Sequence, residues 1–123
     1  MSLPRPAIVW FGVLGAPVAF VLQHVVGYAL TEAACNRIGT TWSVPLDTLA
    51  TVLTALCAGI ALLGGLAALA SFRATRAAGE GAPPPAGRVH FLAITGMVVA
   101  LLMLAIILLD GIGVLAVEGC SQG

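Results

Sequence analysis

Four side chains able to exchange protons or hydrogen-bond fall inside one apolar run, APVAFVLQHVVGYALTEAAC, from Ala16 to Cys35: Gln23, His24, Tyr28 and Glu32. A fifth, Asp110, interrupts a later run, AIILLDGIGVLAVEG. Imidazole, phenol and carboxylate are the groups that relay protons, ligate haem or hold a quinone head group, and in apolar surroundings each of them needs a partner. His24, Tyr28 and Glu32 recur every four residues and Cys35 follows three later, so one helix carries them all on one face.

The elements that must position them follow from composition. Of 123 residues, 60% are apolar and 8% charged, and the mean hydropathy is +1.11, against about 45–50% apolar and 25% charged in soluble domains. A membrane crossing takes about 20 mostly apolar residues. Runs of that kind cover Ala7–Thr31, Leu46–Phe72 and Val89–Val117, which predicts an all-α integral membrane protein with three transmembrane helices in a single membrane domain. Pro6 suits a first helical turn, Trp10 an interface, and Pro17 a bend in the first span. Ser43, Pro45 and Asp47 form a start signal for the second. The segment 73–88, with its proline triplet and glycines, reads as a flexible connector. The first run resembles a secretory signal in its Arg5 flank, but its length and its Gln23 and His24 favour a retained span.

Helical rise sets the depths. Asp110 is about seven residues, or roughly 10 Å, from the outer boundary of the third span, and His24 about nine residues, or roughly 14 Å, from that of the first. At nearly equal depth, Asp110 is expected to turn toward the first helix and bond to His24 or Tyr28, with Gly111 and Gly113 allowing close approach. Gly96, Met103 and Asp110, seven apart, describe the face concerned. A polar clasp fixing helix register is the plainest role for such a cluster. The sharper role is binding of haem or quinone through His24 and Asp110. A bis-ligand haem inside this chain is disfavoured, because His90 lies at the opposite end of the bilayer and Met103 on another helix.

The connector holds Arg73, Arg76 and Arg88 and the N-terminal tail Arg5, whereas the first loop holds only Arg37. Excess arginine marks the cytoplasmic side, so the N-terminus is expected inside and the C-terminus outside, in a bacterial inner membrane. Cys35 and Cys120 then share the outer, oxidising face, where a disulfide would tie the ends of the first and third helices. Cys57 falls within the second span as a buried thiol.

Gly15–Pro17, Phe20, Gln23, His24, Gly27–Leu30 and Cys35 together form a GAP, aromatic, QH, GYAL and cysteine pattern. It resembles a group of small uncharacterised bacterial membrane proteins found with haem-copper oxidase and related respiratory genes, with Phe20 where that pattern has tryptophan. The resemblance implies an accessory or assembly subunit of a respiratory complex and names no catalytic residue. The five arginines are scattered and the net charge is zero, which excludes a nucleic-acid footprint. No metal-ligand spacing, nucleophile triad or phosphate loop is present. The expected function is therefore a non-catalytic subunit, with lipids and larger integral membrane proteins as partners and no cofactor of its own.

Overall fold

The computed structural model describes residues 3–35, 46–78 and 81–116, and they form three α-helices. The order is α1 (Pro6–Cys35), α2 (Leu46–Thr75) and α3 (Ala86–Ala116). There is no strand among the described residues, so the all-α, three-span expectation holds. All three helices are long and apolar enough to cross a membrane. Large aliphatic side chains such as Leu14, Val18, Leu56, Leu63, Leu101 and Leu109 are exposed on the outside of the bundle, the surface that an apolar solvent covers. The fold is that of a multi-pass membrane protein in contact with lipid.

The helices overrun the expected spans for local reasons. The Arg5 carbonyl accepts from the amides of Ile8 and Val9, at 2.9 and 3.2 Å, and starts α1 just ahead of Pro6. That proline has no amide to lose in a first turn. α1 then continues unbroken through Pro17. α2 runs on through Arg73, a cation in its last turn, to Thr75. α3 begins straight after the prolines, the Pro85 carbonyl accepting from Val89 at 3.0 Å. The connector is therefore shorter than the expected 73–88. Ser43 and Pro45, the anticipated start signal of α2, lie outside the described residues, as does Trp42.

Small residues set the packing. A Cβ built on Gly12 would lie 2.9 Å from the Ala68 amide nitrogen, and one on Gly15 would meet the Gly64 Cα at 3.4 Å. Numbers rise along α1 as they fall along α2, so these two are antiparallel. α3 is parallel to α1: a Cβ on Gly96 would sit 2.5 Å from the Gly12 carbonyl oxygen, and Gln23, eleven residues further along α1, bonds to Ile107, eleven further along α3. The buried centre is Ala16, Ala19, Cys57, Ala61, Ala100 and Ile107, with Phe20, Leu53 and Met103 against it. With lipid tails as apolar as leucine, close backbone approach and interhelical hydrogen bonds hold such a bundle rather than burial from water.

Candidate intramembrane polar site

The inward row of α1 is Val9, Gly12, Gly15, Ala16, Ala19 and then Gln23, all buried. The spacing of three and four residues is that of one helix face. Gln23 is 4% exposed, and its amide nitrogen donates to Thr54 Oγ1 at 3.2 Å and to the Ile107 carbonyl at 3.1 Å. One side chain thus ties all three helices together. Its Oε1 is buried and accepts from no group among the described residues. Thr54 is unusual among the hydroxyls here, since Thr31, Thr51, Ser71 and Thr95 all donate back to the carbonyl four residues earlier.

His24 is one residue further on, about 100° round the helix from Gln23, and it is exposed. Its Nδ1 lies 3.3 Å from the Phe20 carbonyl of its own helix, with the two rings 4.3 Å apart. Tyr28 is 70% exposed and Glu32 is exposed as well. The row of four-residue spacings does share one face, as expected, but that face looks outward.

The expected bond from Asp110 to His24 or Tyr28 is not formed: among the described residues no hydrogen bond or ion pair joins them. Depth is not the reason, because the offset that pairs Gln23 with Ile107 sets His24 within about half a turn of Asp110. Rotation is the reason. α3 turns Ile107 and Gly111 inward, and both are buried. A Cβ on Gly111 would run into the Thr54 side chain. Asp110 then points about 80° away from the mean of those two and is half-buried on the flank of the bundle. The row Gly96, Met103, Asp110 starts at the core and leaves it at its last member. The row that stays inside is Ala93, Ala100 and Ile107. Gly113, offered as a close-approach glycine, has nothing within 4 Å of a Cβ.

A second polar group forms at the other end of the bundle, where α2 meets α3. His90 is 5% exposed and stacks on Phe72 with centroids 5.0 Å apart. Its Nδ1 lies 3.0 Å from Thr75 Oγ1, whose own hydroxyl donates to the Ser71 carbonyl at 2.8 Å. With that proton spent, the threonine oxygen accepts from an Nδ1–H of His90. The signal was present: Ser71 and Thr75 are four apart, and the hairpin between α2 and α3 has to bring them to His90. The chain matches no protein-family model, no curated protein and no solved structure.

Among the described residues, charge separates by end. Arg5, Arg73, Arg76 and Arg88 are all exposed where α1 and α3 begin and α2 stops, whereas Glu32 and Asp47 are exposed at the other end. Cys57 is a buried free thiol. Cys35 closes α1, and Cys120 lies outside the described residues. No group of three His, Cys, Asp or Glu side chains able to hold a metal ion occurs among the described residues.

Proposed function

We propose that this chain is a non-catalytic accessory or assembly subunit of a bacterial membrane complex, one of the respiratory electron-transport chain. The observation that carries the reading is the outward turn of His24. The bundle closes its own interior with Gln23 and displays an imidazole on the surface, at a depth where lipid offers it nothing polar. Intramembrane polar groups that face lipid in isolation are costly, and a neighbouring chain removes that cost. The QH pattern around His24 adds the respiratory assignment. Four exposed arginines at one end support the reading that this end faces the cytoplasm of a bacterial inner membrane. A Cys35–Cys120 disulfide on the oxidising side belongs to the same reading, and an alkylation mass shift with and without reductant tests it.

A second reading, binding of haem or quinone, is favoured by one detail. A ring nitrogen tied to a backbone carbonyl is how ligating histidines are oriented. Among the described residues no hydrogen bond or ion pair joins Asp110 to His24 in such a site. Affinity capture of the tagged chain from mild detergent separates the readings. A stoichiometric respiratory complex supports the subunit, a lone monomer refutes it, and a Soret band absent from His24→Ala establishes haem.

A further inference from the structure

The atom that His24 presents to its surroundings has a definite chemistry. A carbonyl oxygen only accepts hydrogen bonds, so the contact between Nδ1 and the Phe20 carbonyl requires the hydrogen to sit on Nδ1. In the neutral ring Nε2 then carries a lone pair and is an acceptor. Among the described residues nothing donates to it.

Its depth makes that acceptor consequential. Trp10, 54% exposed, and Glu32, also exposed, are about 33 Å apart along α1, close to the roughly 30 Å thickness of a hydrocarbon core. His24 lies about 12 Å inward of Glu32 by the same rise, where neither water nor a head group reaches. Around it the surface is Val21, Val25 and Tyr28, at 56, 62 and 70% exposure. Branched and aromatic side chains lose little rotamer freedom when another helix covers them.

We propose that this face of α1 is the docking surface for a transmembrane helix of a different protein, and that the helix carries a neutral hydrogen-bond donor for His24 Nε2. This deepens the subunit reading and rests on it. The partner is a different protein, because a second copy, although its Tyr28 hydroxyl could donate, would set Glu32 against Glu32 across a symmetric parallel pair. A hydroxyl, amide or indole N–H supplies the donor without the cost of an ammonium or guanidinium at that depth.

Two measurements test the proposal. Nitrogen-15 NMR of the histidine-labelled full chain in lipid nanodiscs at neutral pH is expected to show His24 protonated at Nδ1 and bare at Nε2, and the opposite tautomer overturns the proposal. In cells that make the protein natively, a photocrosslinker at Val21 or Val25 is expected to map to a transmembrane segment of another chain with a hydroxyl, amide or indole donor within one turn. The same probe at Leu101 on α3, 71% exposed, is the control. His24→Phe keeps the ring and removes the lone pair, and is expected to cut the Val25 crosslink by about threefold to twentyfold. His24→Gln, whose amide oxygen accepts, recovers part of it. Crosslinks to a second copy, equal yields from Leu101, or an unchanged yield in His24→Phe refute the docking face while a captured complex leaves the subunit role standing. A Soret band lost in His24→Phe assigns Nε2 to iron and refutes the donor. A chain captured alone sinks both.

Discussion

Replacing Gly96 by alanine tests whether backbone contact between helices holds this bundle. The added methyl would lie 2.5 Å from the Gly12 carbonyl oxygen, 3.0 Å from the Gly12 carbonyl carbon and 3.0 Å from the Ala68 Cβ. A comfortable carbon-to-oxygen contact is about 3.3–3.6 Å, so α1 and α3 must part by close to 1 Å where α2 also touches. The atom in the way belongs to a backbone and has no rotamer to escape into. Overpacking of this kind costs about 1–3 kcal/mol, and separating the helices also strains the Gln23 bond to Ile107, eleven residues further along. Gly59 supplies the control, since a Cβ there meets nothing within 4 Å. Equilibrium unfolding in mixed micelles, followed by tryptophan emission and circular dichroism, is expected to place Gly96→Ala about 1–3 kcal/mol below the native chain. Gly59→Ala should stay within about 0.5 kcal/mol of it or above it. Equal stability of the two variants would refute the reasoning, because they differ only in what surrounds the methyl.

Other perturbations read other contacts. Gln23→Leu keeps volume and loses both interhelical bonds; at about 0.6–1.7 kcal/mol for each such bond, the same unfolding assay should register a loss of about 1–3 kcal/mol, partly offset by removal of the unpaired Oε1. Thr75→Val strands the buried Nδ1–H of His90 and should cost about 1–3 kcal/mol, whereas Thr95→Val, which loses only a bond within its own helix, should cost less than about 0.5 kcal/mol. A double-mutant cycle of His24→Ala with Asp110→Asn should give a coupling below about 0.3 kcal/mol, and a coupling above 1 kcal/mol would restore the clasp between them.

Asp110 lies at the expected depth but at a different rotation about α3. Span number, span placement and relative depth are one-dimensional quantities, and apolar run length with a fixed helical rise determines them. Leu46 was accordingly legible as the start of α2, and His24 and Asp110 do lie at nearly one level. The end points differ because α2 runs on past a cation in its last turn and α3 starts at a proline turn, neither of which hydropathy registers.

From its residues alone, then, this protein is legible as three apolar helices crossing a membrane, with four of its five arginines flanking the spans on one side and its polar side chains at calculable heights. Only the tertiary structure decided which way each helix faces. In water, burial separates an apolar inside from a polar outside, but in lipid both sides of a helix are apolar, and the choice falls to where backbones can touch. The contacts of Gly12 with Ala68 and Gly96 made that choice. A rotation of one residue step, about 100°, is what placed Gln23 at the centre and left His24 facing outward.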